Sequence, residues 1–369
     1  MTPETARKLV GLGLEVEFER GLGETADFTD SMYEDVGAKA GERDAGISAA
    51  DIVFRVAPPE ADEIAKMKKG AMHVGFLAPF HIHLGEGEAP TDTPSKARLE
   101  SLAAAGVTAA SLEMMPRTTL AQKMDAISSQ ANLAGYMAVI VATERLNKIL
   151  PMMMTPAGTI SPAKVFVIGI GVAGLQAIAT AKRLGARVTA FDTRAEALEQ
   201  AESLGAKALR IDLGETGATD QGYAEELTPE QIEKQRTEQG KVCAQSDIVI
   251  TTAKLFGRKA PLLVKQDVID SMSNGSIVVD LAAETGGNVE GVVVDEEAVT
   301  ANGVRLIGHA RLENFVPRDS SGMYAANLAN FIEHFWDKEE KTFKFDLEDE
   351  ILKSCVLTHG GEIVNERFK

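Results

Sequence analysis

The chain has 369 residues, with 38 Lys and Arg against 55 Asp and Glu and a formal net charge of −17, so a nucleic-acid backbone or an anionic lipid surface is repelled rather than bound. Hydrophobic residues at 44% and charged residues at 25% exclude a disordered or collagenous chain. No apolar run approaches the roughly 18 residues of a membrane helix, so no direct membrane insertion is expected.

Two cysteines, Cys243 and Cys355, stand without CxxC spacing, and no apolar signal segment opens the chain. This suits a reducing, cytosol-like compartment and argues against a disulfide framework or a structural zinc site. Small molecules or other proteins are the expected partners.

The opening Thr2-Pro3-Glu4 reads as a helix start, with Thr2 as N-cap and Pro3 at the first helical position. A doubly wound sheet ordinarily begins with a strand, so a first strand is expected to be missing from the sequence as given. Strand-type segments follow at 14–19, 51–56, 72–77 and 107–113, each preceded by a helical or loop stretch. Residues 123–150 carry apolar positions at helical spacing and predict one long helix crossing between domains, ended by Pro151 and Pro156. Met152, Met153 and Met154, between those prolines, are expected to fill interdomain packing.

Further strands are expected at 164–168, 187–192, 247–253, 276–283 and 305–310, with helices between them as parallel pairing requires. A helix at 322–337 and short strands about Gly360-Gly361 close the sequence, and this tail is expected to return to the first domain. In the stretch 318–331, Asp319 or Ser320 is the candidate cap. The fold class is therefore α/β, with two domains, each a mainly parallel sheet with flanking helices. Residues 1–130 plus 335–369 form the first and 150–320 the second, with linking helices at 123–150 and 322–337.

The strand KVFVI runs into Gly169-Ile170-Gly171-Val172-Ala173-Gly174, which opens the helix LQAIATAKRLGA. The first two glycines allow a tight turn and close approach of backbone to a pyrophosphate, while the third lets helix and strand pack closely. The helix N-terminus adds partial positive charge. The next strand ends at Asp192, where a carboxylate can accept hydrogen bonds from the adenosine ribose hydroxyls and repel a phosphate placed there. The second domain thus reads as a Rossmann dinucleotide-binding domain. NAD(H) is favoured over NADP(H), with Arg194 two residues later as the feature pointing the other way.

The stretches GIGVAGLQAIATAKRLGA and ISSQANLAGYMAV resemble the NAD(H)-binding component of the proton-translocating nicotinamide nucleotide transhydrogenases, a family that shares its fold with alanine dehydrogenase. The resemblance extends to the C-terminal LEDEILKSCVLTHGGEIV. It implies bound NAD(H), NADP(H) held on a partner component, and direct hydride transfer between the two coupled to proton translocation. It also implies membrane-spanning partner components, a homodimer, and a cytoplasmic location peripheral to the inner membrane.

In that family a loop and helix start line the nicotinamide ring, and PRTTLAQKMDAISSQ supplies Arg117, Gln122, Asp125 and Ser128 at the matching positions. By spacing, Gln122, Asp125 and Ser128 fall on one side of the expected helix, where they either serve the ring or form a merely solvated polar side. Gln122 is the candidate nearest the second ring, and Arg117 could pair with Asp125 or contact the coenzyme. The polar stretch 212–240 resembles the family's mobile loop, whose Gly-Tyr pair is here Gly222-Tyr223, with Gln235 further on; a solvated insertion is the other reading. The coenzyme residues implied are Gly169, Gly171, Val172, Ala173, Gly174, Asp192, Thr193, Arg194, Gly222, Tyr223, Gln235 and Lys254. The strand end from Thr251 to Lys254 should face the adenosine side, although Thr251 and Thr252 read equally as ordinary strand residues.

Two other functions compete: an NAD-dependent dehydrogenase of the alanine dehydrogenase type, and a non-catalytic NAD(H)-sensing module. The first needs a pocket for a 2-oxo acid, yet Ala57-Pro58-Pro59, the strand end Gly75-Phe76-Leu77-Ala78 and Glu284 furnish it poorly. His81 and His83 lack a third ligand and are expected on a surface loop, with no metal. His309 is expected to be structural, and Cys243 and Cys355 inert.

Overall fold

The computed structural model describes residues 1–80, 94–214, 227–255 and 257–369. The chain divides into two units, Met1–Gln130 with Val316–Lys369, and Ala131–Phe315. It begins with α1 (Pro3–Gly11), β1 (Glu17–Glu19), α2 (Asp30–Glu34), β2 (Lys39–Gly41), α3 (Arg43–Ala49), β3 (Ile52–Arg55), α4 (Ala61–Lys66), β4 (Met72–Gly75), α5 (Pro94–Ala104) and β5 (Thr108–Ser111). Helix α6 (Ala126–Arg145) then leads into the second unit: β6 (Met153–Thr155), β7 (Gly158–Ile160), β8 (Lys164–Ile168), α7 (Val172–Arg183), β9 (Arg187–Phe191), α8 (Ala195–Ser203), β10 (Lys207–Ala208), α9 (Pro229–Cys243), β11 (Ile248–Thr251), α10 (Gln266–Ser271), β12 (Ile277–Asp280), β13 (Glu297–Val299) and β14 (Arg305–Ile307). The chain returns to the first unit with α11 (Pro317–Phe335), β15 (Trp336–Asp337), β16 (Thr342–Phe343), α12 (Glu350–Cys355), β17 (Val356–His359) and β18 (Glu362–Ile363).

In the second unit, every residue of β11 and β12 is buried, and so is all of β8 after Lys164. Strands buried on both faces must be covered by helices on both sides, which is the situation of a parallel sheet. The sheet has the order β10-β9-β8-β11-β12-β14-β13, parallel throughout except for the edge pair β13-β14. Phe166, Ile168, Phe191, Val249, Val278 and Leu306 meet in one apolar cluster of its core, each contributing about 1.5–3 kcal/mol on burial. The order runs outward on both sides from neighbouring β8 and β11, so the chain ends of those two strands lie at the switch point where such sheets bind ligands.

The first unit is built on the sheet β18-β17-β5-β4-β3. Its strands β3, β4 and β5 run parallel, and the C-terminal strands extend them antiparallel, β17 beside β5 and β18 beside β17. Thr2 caps α1 by accepting from the Thr5 N–H, with Pro3 in the first turn.

Three expectations need correction. The helix expected over 123–150 runs only from Ala126 to Arg145, because Asp125 is extended at ψ 90 and accepts from the Ser128 N–H, and such a cap starts a helix after itself. Helix α11 begins at Pro317, earlier than expected, so Asp319 and Ser320 sit inside its first turns instead of capping it. Met152, Met153 and Met154 do not fill packing gaps. They stand exposed on the antiparallel hairpin β6-β7, Met154 at 74%.

Candidate functional site in the glycine-rich turn

Strand β8 ends at Ile168 and the chain reverses into α7 within three residues. Gly169 has φ +94, and a Cβ there would lie 2.7 Å from Thr252 Oγ1. A Cβ on Gly174 would lie 2.0 Å from the Gly169 carbonyl oxygen. Both positions therefore require glycine for the protein's own sake, one for its backbone and one for packing. Gly171 differs from both. Its φ of −86 and ψ of −163 suit any residue, and a Cβ there would meet no described residue within 4 Å.

Among the described residues neither conformation nor packing asks for glycine at 171, which leaves room for a bound group at this turn. Among the described residues no side chain caps the amino end of α7. Its first N–H groups and the partial positive charge of the helix form an anion-binding end. Backbone without a side chain, next to an uncapped helix start, fits a bound pyrophosphate.

Asp192, just beyond β9, is buried beside this turn. Its Oδ2 accepts from the Ile170 N–H at 2.7 Å and from Arg194 Nη2 at 2.8 Å, and its Oδ1 accepts from Arg194 N–H at 3.0 Å and Nε at 2.9 Å. Burial alone would raise the carboxyl's pKa, but the hydrogen bonds and charge of Arg194 outweigh it and hold Asp192 below the ordinary value.

The turn is supported from behind by residues that sequence reasoning left unassigned or read as ordinary. Thr252 Oγ1 donates to the Gly169 carbonyl at 2.9 Å. Asn288 accepts from the Ala253 N–H at 3.0 Å and donates to the carbonyls of Ala253 and Pro261. Asp280, fully buried at the end of β12, accepts from Thr251 Oγ1 and from the N–H groups of Ala282, Asn288 and Val289. Burial pushes its carboxyl above the usual range. On α6, Gly135 lets the helix pass against α7, because a Cβ there would lie 2.1 Å from the Ala173 carbonyl oxygen. An Asp ending the apolar strand IVVD was the one local signal for this wall.

The second group of candidate residues belongs to the first unit. Gln122, in the 3-10 turn Gln122–Met124, is exposed, while Ala121 and Met124 beside it are fully buried. Asn327 and Asn330 of α11 both donate to the Lys123 carbonyl at 3.0 Å and hold the turn in place. Asp125 accepts from the Ser128 N–H at 2.9 Å and the Ser128 hydroxyl at 2.6 Å. Gln122, Asp125 and Ser128 therefore do not share one face of one helix as expected: they occupy a 3-10 turn, a cap and the first turn of α6. Arg117 is exposed in the preceding loop, and Leu120 between them is 67% exposed.

Of the remaining candidates, Lys254 is exposed after β11 and Thr193 is half-buried beside Asp192. Gln235 is buried in α9, its Nε2 3.5 Å from Gln239 Oε1. Gly222, Tyr223, His81 and His83 lie outside the described residues. Glu284 pairs with Arg311 at 3.4 Å. His309 contacts Glu297 at 3.3 Å, in a group that also joins Arg145 and Arg305. Both cysteines are buried and free, and burial pushes the Cys243 thiol up to about 12 and Cys355 higher still. Among the described residues no cluster suits a metal ion, and no helix is long and apolar enough to cross a membrane.

Taken together, the sheet order, the glycine-rich turn and the acid after β9 define an α/β protein with a Rossmann-like unit. Residues 1–134 match the alanine dehydrogenase/PNT N-terminal domain and residues 138–366 the C-terminal domain. The chain belongs to the alanine dehydrogenase/PNT family. It is 42% identical over 373 residues to a Rhodospirillum rubrum protein named as the first part of NAD(P) transhydrogenase subunit alpha, covering 99% of this chain and 94% of that one. A Rickettsia prowazekii protein of the same name is 41% identical, covering 99% and 92%. The crystal structure of transhydrogenase from Sinorhizobium meliloti matches with a TM-score of 0.82 at 39% identity, over 99% of this chain and 94% of that one. An L-alanine dehydrogenase structure shares the fold, with a TM-score of 0.79 at 22% identity over 100% and 93%.

Proposed function

We propose that the chain is the NAD(H)-binding component of a transhydrogenase and that hydride passes between its NAD(H) and NADP(H) carried on a partner component. The observation that carries the coenzyme reading is Gly171, a glycine that none of the described residues requires, at the start of a helix that none of their side chains caps. When bound, NADH supplies a hydride from its nicotinamide C4, which NADP⁺ on the partner takes up at its own C4, so no proton donor is required.

The chain's own residues then bind and orient. The turn from Gly169 to Gly174 holds the pyrophosphate, Asp192 the adenosine ribose, and Arg117, Gln122, Asp125 and Ser128 the nicotinamide end. The Asp125 cap and the α11 asparagines fix Gln122 in an exposed turn, so positioning, more than titration, is its contribution. Exposed Leu120 beside it supports a face that a partner component covers. Proton translocation belongs to membrane-spanning partner components, which place this chain at a cytoplasmic membrane surface.

Gln122→Asn, which shortens the side chain by one methylene, is expected to slow hydride transfer about tenfold in the reconstituted complex while changing NADH affinity less than about threefold. Stopped-flow measurement of the transfer decides it, and an unaltered rate removes Gln122 from the ring's surroundings. The isolated chain given pyruvate, ammonia and NADH is expected to show no steady turnover. Turnover would replace this reading with an amino-acid dehydrogenase.

The proposed component is a homodimer. Its support is the hairpin β6-β7, whose Met152, Met153, Met154 and Ile160 are exposed although an isolated two-stranded hairpin is marginal in water. Replacing Met153 and Met154 by Asp is expected to shift the sedimentation coefficient from dimer to monomer. A dimer surviving unchanged would move the interface elsewhere.

A further inference from the structure

Residues 151–161 form one unbroken exposed run, and in it stand Met152, Met153 and Met154 at 59%, 45% and 74% exposure. In the hairpin β6-β7, Met153 lies opposite Ile160 and Met154 opposite Thr159. Side chains alternate across a strand, so Met153 and Ile160 share one face and Met154 takes the other. Both faces of the arm therefore carry a thioether in solvent. Elsewhere such groups are mostly shielded: Met67, Met72, Met114, Met124, Met137 and Met272 are buried. An interface needs apolar area, which Leu or Ile also supplies. What sulfur adds is adaptability and susceptibility to oxidation.

We infer that Met152, Met153 and Met154 make the dimer sensitive to peroxide, which acts on the separated protomer and prevents it from pairing again. This rests on the homodimer reading above and adds a regulation to it. Each sulfur gives an electron pair to one oxygen of hydrogen peroxide. The O–O bond breaks, an S–O bond forms and, after proton transfer, the second oxygen leaves as water. The sulfoxide is polar, so an apolar interface that covers it leaves its oxygen without a hydrogen-bond donor. With sulfoxides on both faces, neither side of the arm is fit to be buried.

In the dimer the sulfurs are covered and the oxidant is kept out. Oxidation therefore follows the fraction of free protomer, which falls as protein concentration rises. Cys243 and Cys355 are buried with their thiols protonated, so they do not compete for the peroxide. Reversal requires reductases for both sulfoxide epimers, and the separated state persists until they act.

The unaltered chain is treated with hydrogen peroxide at concentrations about tenfold below and about a hundredfold above the dimer dissociation constant, with sulfoxide located by peptide mass spectrometry. Oxidation at 152–154 should be about tenfold slower at the higher concentration. Met323, 46% exposed in the first unit, is the reference, and its rate should stay constant. Sedimentation of the oxidised protein should show monomer, the dissociation constant having risen about a hundredfold or more. The two sulfoxide reductases together should restore the dimer.

A variant with Met152→Leu, Met153→Leu and Met154→Leu, close to the original in volume, should remain dimeric through the same treatment. Should it fail to fold, restoration by the reductases carries the test on the unaltered sequence. The inference is overturned if the oxidised protein still dimerises, if the reductases do not restore the dimer, or if the folded Leu variant dissociates as readily. Equal oxidation of the hairpin at both concentrations would place the interface elsewhere and overturn it too. An untreated protein that is monomeric at every concentration is a different failure, defeating the homodimer reading and the inference with it.

Discussion

Gly171→Val is expected to abolish measurable NADH binding, a loss of more than about a hundredfold, while shifting the stability of the free protein by less than about 0.5 kcal/mol. The extended backbone at 171 accepts a β-branched residue, and no described residue lies within 4 Å of the added Cβ. The new side chain would stand where a pyrophosphate meets the backbone N–H groups of α7. Gly174→Ala supplies the contrast. Its new methyl would lie 2.0 Å from the Gly169 carbonyl oxygen, a backbone atom that cannot step aside, and overpacking of this kind costs about 1–3 kcal/mol or more. Thermal unfolding and calorimetric titration of the two variants separate a glycine kept for a ligand from a glycine kept for the fold. Normal NADH binding by a well-folded Gly171→Val would remove the coenzyme from this turn, and the proposed function with it.

What was legible in advance follows the range of the interactions. The passage from β8 through the turn and α7 to β9 and Asp192 could be read because each piece is fixed by near neighbours: an apolar run buried on both faces, a positive φ at Gly169 and a helix start at Val172. The start of α6 was misplaced although its cause was local. The polar spacing of Gln122, Asp125 and Ser128 suggests one helix face, but Asp125 accepts from the Ser128 N–H and hydroxyl and so opens the helix after itself.

The supporting wall of the site was a different matter. Asn288 reaches Ala253 across 35 residues, and Thr252 reaches Gly169 across 83. Gly135 is glycine because of Ala173, which stands on another helix. Such pairings exist only once the sheet is assembled, and spacing along the chain carries no trace of them. Arg194 lies between these cases: its position two residues after Asp192 was visible, but whether it would point away as a free cation or fold back onto the carboxylate depended on the buried Ile170 backbone that anchors it.

A second large effect is expected in the first unit, from a residue outside the candidate site. His73, on β4, is fully buried, and neither ring nitrogen has a hydrogen-bond partner among the described residues. Burial, helped by the charge of Arg55 and opposed by that of Glu63, lowers its pKa from 6.5 to about 3. The unfolded chain therefore takes up this proton more readily than the folded one. Stability from the neutral imidazole is fully present above pH 6.5 and is lost as pH falls from there toward 3, at up to about 1.4 kcal/mol per pH unit. His73→Leu removes the titrating ring and two unpartnered polar atoms, each of which costs about 1–3 kcal/mol when buried. The variant is expected to equal or exceed the unaltered protein in stability at about pH 7, and its advantage should widen steadily in urea unfolding at about pH 6, 5 and 4. Parallel curves for the two proteins over that range would show that the ring is charged, or finds partners, in the folded state.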